Sequence, residues 1–272
     1  MKTIILIIKG FIIGLAKIIP GVSGAVLAIS MGLYDKALNA ITEFTTNIKE
    51  NLLFLTPLAV GILIAMILGA NLVKYFLNNY YIITMLFFIG LIIGSIKTIY
   101  NKTNKNIKGL IISIISFITM FLISISNISN TYTKTNTIID IIMYFISGII
   151  DAIGTVIPGL SSTALLMILG TYNIIIDAIA NITKPNLISQ NISIIIFYSI
   201  GMILGIIITS LIINYMFKKH NKNTFSFIFG IIISSILLLI IKSLNTSFTI
   251  YQLIIGLIFL IIGINLTKLL KN

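Results

Sequence analysis

Two short motifs place a hydroxyl group just after a Pro-Gly pair, inside segments that are otherwise apolar. The first is Pro20-Gly21-Val22-Ser23 and the second is Pro158-Gly159-Leu160-Ser161. Proline ends a helix because it lacks an N–H group and disfavours α geometry in the preceding residue. The helix that restarts after such a break has free N–H groups and the positive end of its dipole, and both favour an anion. With the serine hydroxyls added, this combination is suited to binding a phosphate.

Residues beside the two motifs extend the candidate site. The glycines let the backbone approach a ligand closely, and the hydroxyls that follow Ser161 add hydrogen-bond donors. Lys17 lies one turn before Pro20, where its charge would attract a phosphate, and Asp151 lies about two turns before Pro158. Charged groups inside a membrane segment are costly and indicate function, so Asp151 would either balance Lys17 or carry a coupling proton or cation. The predicted phosphate-binding residues are Lys17, Pro20, Gly21, Ser23, Gly24, Pro158, Gly159, Ser161 and Ser162.

These residue types also have purely structural interpretations. A serine after a helix break can simply cap the next helix. Gly24, Ala28 and Gly32 lie four residues apart and fit a close-packing seam between helices. Lys17 can act as a cation at a helix C-terminus or extend to the membrane interface, and Asp151 can be its buried partner. The duplication of the motif, at the point where inverted-repeat transporters form their site, favours binding over capping alone.

The remaining ionisable residues give no second candidate site. We expect Lys9 to extend toward the membrane edge and Asp140, near the start of its helical arm, to be solvated. Lys9 also interrupts the first apolar run, and since no cleavage site of small residues follows, we expect a retained segment rather than a signal peptide. The chain has no cysteine and a single histidine, His220, within Lys218-Lys219-His220-Asn221-Lys222. No metal site and no cofactor are therefore predicted.

The two motifs belong to a repeat that covers nearly the whole chain. Special residues recur at an offset of 138 (158 − 20) around the motifs and at an offset of 140 in the later part of each half. The matched pairs are Gly10 and Gly148, Ser23 and Ser161, Leu27 and Leu165, Gly32 and Gly170, Tyr34 and Tyr172, Gly61 and Gly201, Tyr75 and Tyr215, and Gly90 and Gly230. We therefore predict a single membrane domain, 1–272, made of two units at about 1–130 and 137–272.

Composition indicates a membrane protein. Of the 272 residues, 58% are hydrophobic and only 9% are charged, whereas soluble domains carry about 25% charged residues. Apolar runs of about 18 residues are typical of transmembrane helices, so we predict an all-α polytopic protein in the lipid bilayer. The net charge of +12 comes from lysines between the apolar runs, which favours the lysine bias of membrane proteins over nucleic-acid binding. The predicted full spans are 52–77, 82–100, 107–128, 192–217, 225–241 and 250–266.

The distribution of lysines distinguishes two topologies. If each broken segment crosses the membrane once, the halves are parallel and the loop lysines divide eight against seven. If each segment enters and leaves on one side, the halves are inverted and the lysines divide eleven against four, as the positive-inside rule requires. The arm 23–34 would span only about 18 Å of a hydrocarbon core of about 30 Å, which also favours a hairpin. We therefore predict an inverted repeat of two units, each with a re-entrant broken-helix hairpin and three transmembrane helices, and both termini in the cytoplasm.

At these residues the sequence resembles the PopT-type polyprenyl-phosphate translocases, a family formerly described as a domain of unknown function. The resemblance lies in GLAKIIPGVSGAVLAISMGLY and IPGLSSTALLMILGTY, and it extends over the full length through the order of the spans. It implies an inverted repeat that returns undecaprenyl phosphate, the lipid carrier of cell-wall precursors, from the outer to the inner leaflet of the plasma membrane. It also implies that both Pro-Gly-x-Ser motifs line the headgroup site. The chain departs from the family pattern at Lys17, where an acidic residue or Asn is common, and at Ala25-Val26, where Gly-Thr is commoner.

Two other functions fit parts of the pattern. A transporter of a small soluble anion would use the same site, and composition does not separate it from a lipid transporter. A polyprenyl-pyrophosphate phosphatase would need cationic clamps, a base and often a metal. The chain has no Arg, and no acidic cluster accompanies either Pro-Gly pair. We therefore predict a non-enzymatic transporter of polyprenyl phosphate, in which one repeat rocks against the other and exposes the site to each leaflet.

Overall fold

The structure is a computed structural model that describes residues 2–19, 21–125, 132–135, 137–181 and 185–271. Within these ranges the chain is helical and contains no strand, which confirms the predicted all-α class. A π-helical turn, Ala65–Gly69, joins α4 to α5. The helices are α1 (Lys2–Ile18), α2 (Gly24–Ser30), α3 (Tyr34–Thr42), α4 (Ile48–Ile64), α5 (Ala70–Asn79), α6 (Tyr81–Lys102), α7 (Ile107–Ile125), α8 (Ile138–Val156), α9 (Ser162–Leu169), α10 (Tyr172–Ala180), α11 (Pro185–Leu244) and α12 (Ile250–Lys271).

Apolar length identifies the membrane spans. Among the described residues, six helical stretches are long and apolar enough to cross a membrane, so the protein is a multi-pass membrane protein. The predicted spans 82–100 and 250–266 are confirmed within them, and 107–128 is confirmed as far as the described residues extend. The six stretches are Ile48–Gly69, Tyr81–Lys102, Ile107–Ile125, Ile138–Val156, Asn191–Leu244 and Ile250–Leu270.

Four predicted elements differ in detail from the structure. The first full span begins at Ile48 rather than at 52, and it continues through the π-helical turn. The predicted spans 192–217 and 225–241 belong to one helix, α11, which is interrupted at His220, where φ of −136° and ψ of 46° are not helical. Helix α8, predicted as one arm of a hairpin, has 19 residues and is apolar enough to cross the bilayer alone. The re-entrant geometry and the inversion of the repeat therefore stay predictions.

Glycine contacts show that the two halves repeat the same local packing. Helix α1 packs along α4, and α8 packs along α11. A methyl group at Gly10 would collide with the backbone carbonyl of Leu58, and one at Gly148 would collide with the carbonyl of Tyr198. Gly148 follows Gly10 by 138 residues and Tyr198 follows Leu58 by 140, which are the two offsets of the sequence repeat. Equivalent helices therefore approach each other in the same way in both halves.

The predicted small-residue seam does not extend to Gly32. Helix α2 ends at Ser30, earlier than the arm predicted to extend to residue 34. Gly32 lies in the following turn with φ of +67°, and a methyl group there would meet nothing within 4 Å. Gly24, by contrast, packs against α1, where a methyl group would lie 3.0 Å from the carbonyl oxygen of Ile13. Gly32 therefore allows the backbone conformation of the turn and does not contribute to helix packing.

Two charged residues have different surroundings from those expected. Asp140 is buried and not solvated: its Oδ1 accepts hydrogen bonds from Tyr132 OH at 2.6 Å and from the N–H of Thr135 at 3.1 Å. Its carboxylate therefore holds the segment ahead of α8. Lys9 is half-buried, and its Nζ donates to the carbonyl of Met31 at 3.4 Å, just beyond α2. A cation at a helix C-terminus is stabilised by the dipole, so Lys9 supports α2 and does not extend to the membrane edge.

Candidate functional site

The two Pro-Gly pairs form the same tight turn. The N–H groups of Val22 and Leu160 each donate to the carbonyl three residues earlier, at 3.1 and 3.2 Å. Gly21 and Gly159 have φ of 88° and 86°, a left-handed conformation that glycine adopts without strain. A proline followed by such a glycine is typical of a type II turn, although Pro20 itself lies outside the described residues. The predicted helix break is therefore present in both halves with the same backbone geometry.

The serines after the turns occupy equivalent positions but make different contacts. Both are N-cap residues with extended backbone, Ser23 for α2 and Ser161 for α9. Ser161 Oγ accepts a hydrogen bond from the N–H of Ala164 at 3.3 Å, so this serine caps its helix. Ser23 is buried, makes no cap bond, and its Oγ has no hydrogen-bond partner. Capping therefore accounts for Ser161 but not for Ser23.

Both motifs open onto a single cavity of about 290 Å³. Its wall is largely apolar, and Ile13, Leu58 and Ile206 are among the residues that form it. One amine and several hydroxyls in an otherwise apolar cavity can hold an anionic headgroup that carries an apolar chain. The polar lining residues are Lys17, Ser23, Tyr34, Thr155, Ser161, Ser162, Thr163 and Ser210.

Five of the predicted phosphate-binding residues line this cavity. Three others that the structure describes do not line it. The five are Lys17, Ser23, Gly24, Ser161 and Ser162. Pro158 and the turn glycines are not on the cavity wall: a methyl group at Gly21 would lie 2.7 Å from Leu239 Cδ2, and the carbonyl of Gly159 accepts a hydrogen bond from Ser235 Oγ. Leu239 and Ser235 are one turn apart on one face of α11, so the two Pro-Gly turns lie side by side. Contact of these turn residues with a phosphate stays a prediction.

Lys17 and Asp151 meet beside the cavity, although they are far apart in the sequence. Lys17 Nζ lies 3.9 Å from Asp151 Oδ1 and donates a hydrogen bond to Thr155 Oγ1 at 3.1 Å. Thr155 donates in turn to Asp151 Oδ1 at 3.2 Å, and Tyr198 OH donates to Asp151 Oδ2. Only 7% of the Asp151 side chain is exposed, against 22% for Lys17. Asp151 is therefore the buried partner, and the Lys17 amine faces inward instead of extending to the membrane interface.

Three residues that shape the site are missing from the set predicted from the sequence. Thr155 bridges the ion pair, and Tyr198 holds its carboxylate. Tyr34 OH donates to the carbonyl of Val156 at 2.8 Å and so ties the start of α3 to the end of α8. The repeat does mark Thr155, because it follows Lys17 by 138 residues and is its equivalent in the second half. No sequence signal marks Tyr198, because its contact depends on how α11 packs against α8.

Alanine at the two N-cap serines should separate their structural roles. Ser161→Ala removes the cap of α9 and is expected to lower the free energy of unfolding by about 0.5–2 kcal/mol. Ser23→Ala removes a hydroxyl that has no partner, so it should leave stability unchanged or slightly raised. Thermal unfolding of the two variants in one detergent measures the difference. An equal loss of stability in both would show that Ser23 is also a cap.

Sequence matches assign the chain to a family. A profile of the undecaprenyl phosphate translocase-like family matches residues 13–252, which include both Pro-Gly motifs. The chain belongs to this family. A polyprenyl-phosphate transporter of Staphylococcus aureus is 30% identical over 238 residues, which cover 85% of this chain and 83% of the relative. A polyprenyl-phosphate transporter of Vibrio cholerae serotype O1 is 24% identical over 247 residues, which cover 84% of this chain and 75% of the relative.

The family match confirms the resemblance carried by the two motifs. The matched region of this translocase-like protein begins within α1 and ends within α12, so it contains every residue that lines the cavity. No solved structure matches the chain.

Proposed function

We propose that this member of the translocase-like family moves a polyprenyl phosphate, an undecaprenyl-phosphate-like lipid carrier, between the leaflets of the plasma membrane. The observation that carries the proposal is the shared cavity, where hydroxyls from both Pro-Gly-x-Ser motifs and the Lys17 amine lie together between apolar walls. The two named relatives, both polyprenyl-phosphate transporters, support a lipid phosphate as the substrate. Transport toward the cytoplasmic leaflet would return the carrier for cell-envelope synthesis.

The cavity residues would divide the substrate between its headgroup and its chain. Lys17 would supply the positive charge, and a hydrogen bond to a charged group contributes about 1.5–3 kcal/mol. Ser23 would donate its free hydroxyl, and the first turn of α9, which begins at Ser162, would add N–H groups and the positive end of a dipole. Apolar residues such as Ile13 and Ile62 would contact the first units of the polyprenyl chain, while the remainder stays in the bilayer.

An inverted repeat with two re-entrant hairpins would account for the meeting of both motifs inside the membrane. Lys17 donates a hydrogen bond to Thr155, its own equivalent at the repeat offset of 138. Residues related by a two-fold axis touch each other only near that axis, so this bond supports a pseudo-two-fold axis beside the cavity. The repeated packing of α1 with α4 and of α8 with α11 supports the repeat itself. Rocking of one unit against the other would then open the site to either leaflet.

Transport toward a negative cytoplasm calls for a coupled proton or cation. Moving an anion in that direction costs about 2.3 kcal/mol per charge per 100 mV. Asp151 is the candidate carrier, because a phosphate bound to Lys17 would compete with the ion pair, whose atoms lie 3.9 Å apart. The released carboxylate would then be available to a coupling ion.

Single cysteines test the inverted topology directly, because the chain contains none of its own. Asn78→Cys and Asn221→Cys place a thiol at exposed positions, in the last turn of α5 and beside the break in α11. With inverted halves and cytoplasmic termini, a membrane-impermeant maleimide applied to intact cells should label position 78 and not position 221. Permeabilised cells should show labelling at both positions. With parallel halves the two positions lie on the same side of the membrane, so equal labelling of both in intact cells would contradict the inverted repeat.

Ligand-induced stabilisation tests the proposed function without assuming a direction of transport. A ligand that binds only the folded protein adds about 2.7 kcal/mol at 100 times its Kd, so undecaprenyl phosphate should raise the midpoint of thermal unfolding. Undecaprenol, which lacks the phosphate, should not. Stabilisation by inorganic phosphate but not by the lipid would favour a transporter of soluble anions. Release of phosphate from undecaprenyl pyrophosphate would favour the phosphatase.

A further inference from the structure

Buried serine hydroxyls without a partner point to a residue that neither motif contains. Among the described side chains, the buried polar atoms that lack a hydrogen-bond partner are the hydroxyls of Ser23, Ser210 and Ser234. Ser23 and Ser210 line the same cavity, whereas Ser234 does not. Ser210 lies on the first arm of α11, residues 185–219, and is fully buried. The cavity thus contains a second free hydroxyl, supplied by a different helix.

Ser210 differs in its hydrogen bonding from helical serines such as Ser30 and Ser147. A serine hydroxyl inside a helix commonly bonds back to the carbonyl one turn earlier. Ser30 and Ser147 do so at 2.9 and 2.6 Å. Ser210 makes no such bond, although Ile206 is one turn before it. An unpaired buried polar group destabilises a fold, so a free hydroxyl on a residue of the cavity wall indicates a partner supplied by a ligand.

We propose that Ser210 donates a hydrogen bond to the phosphate headgroup of the transported lipid, an inference that rests on the function proposed above. Lys17 lines the same cavity, and a cation among apolar walls favours an anionic ligand. Met202 and Ile206, on the same face of α11, also line the cavity, so this helix forms one of its walls. The headgroup is then held from three sides, by the segments after both turns and by α11.

Ser210→Ala and Ser234→Ala form a matched pair of variants. Each removes one hydroxyl from a fully buried serine of α11 that has no partner, so neither should lower stability in the absence of lipid. Only Ser210→Ala removes a bond to a charged phosphate, and its Kd for undecaprenyl phosphate should rise about tenfold. Thermal unfolding of the purified full chain across a titration of undecaprenyl phosphate gives the Kd for both variants and the wild type.

The outcomes separate this inference from the proposed function. If the wild type binds undecaprenyl phosphate and Ser210→Ala binds it equally well, the role of Ser210 is overturned and the proposed function stands. If the wild type does not bind the lipid, the proposed function fails and the inference fails with it. A lower unfolding midpoint for Ser210→Ala than for Ser234→Ala without lipid would reveal a structural partner for Ser210, and this would also overturn the inference.

Discussion

Lys17→Met is expected to remove most transport and to destabilise the protein. Among the described residues Lys17 is the one cationic group on the cavity wall, and losing its bond to phosphate, about 1.5–3 kcal/mol, lowers affinity about ten- to a hundredfold. Asp151 would remain buried without its cation, and breaking a buried ion pair in this way costs about 3–5 kcal/mol. We expect the lower end of that range, because 22% of the Lys17 side chain is exposed. Vesicle transport and thermal unfolding in detergent measure the two effects separately.

A double variant distinguishes charge balance from phosphate binding. Adding Asp151→Asn to Lys17→Met removes the unpaired charge beside the hydroxyls of Thr155 and Tyr198. The amide oxygen of the new side chain can accept from one of the two hydroxyls, and its NH2 group can donate to the oxygen of the other, so stability should return close to the wild-type value. Transport should remain lost, because no cation has been restored. Recovery of transport in the double variant would contradict a role for Lys17 in phosphate binding and leave it as the partner of Asp151 alone.

Alanine at the turn glycines should give graded losses of stability. Gly21, Gly32 and Gly159 all have positive φ, and a residue with a side chain there costs about 1–2 kcal/mol. A methyl group at Gly32 meets nothing within 4 Å, so Gly32→Ala should lose only this amount. At Gly159 the methyl group would lie 2.9 Å from Ile232 Cγ1 and 3.1 Å from its backbone nitrogen. This crowding should add about 1–3 kcal/mol.

Gly21→Ala should fall between the other two variants. Its close contact is with Leu239 Cδ2, the end of a flexible side chain that can move aside, whereas the backbone beside Gly159 cannot. Unfolding midpoints of the three variants give the order. Transport should follow the same order, because the turn at Gly159 positions Ser161 and the turn at Gly21 positions Ser23. Equal losses at all three positions would contradict the packing of the Pro-Gly turns against α11.

The broken helices could be predicted from the sequence because they arise from local backbone chemistry. Proline and a glycine with positive φ act at the turn itself, so the offset of 138 between Gly21 and Gly159 is enough to expect equal turns. Most span positions follow from apolar length in the same way. The end of α2 was harder to predict, because Ser30 and Gly32 lie in one apolar stretch and only the turn conformation of Gly32 separates the helices.

Apart from the pairing of Lys17 with Asp151, the contacts of the candidate site could not be predicted, because they depend on which helices meet. Nothing in the sequence near Tyr198 indicates that its hydroxyl reaches Asp151. Nothing in the sequence separates Ser210, which lines the cavity, from Ser234, which does not. The hydrogen bonds that Tyr132 and Thr135 donate to the buried carboxylate of Asp140 were likewise not predicted. The position of Asp140 near the start of a helix does not indicate these partners.

Transfer of undecaprenyl phosphate between the leaflets of reconstituted vesicles tests the proposed function most directly. An enzyme that cannot cross the membrane, added outside, hydrolyses only the lipid phosphate in the outer leaflet, and lipid in the inner leaflet is protected. Vesicles with the wild-type protein should progressively lose this protection, while those with the Lys17→Met, Asp151→Asn double variant should retain it. Equal rates in wild-type, double-variant and protein-free vesicles would contradict transport of polyprenyl phosphate by this protein.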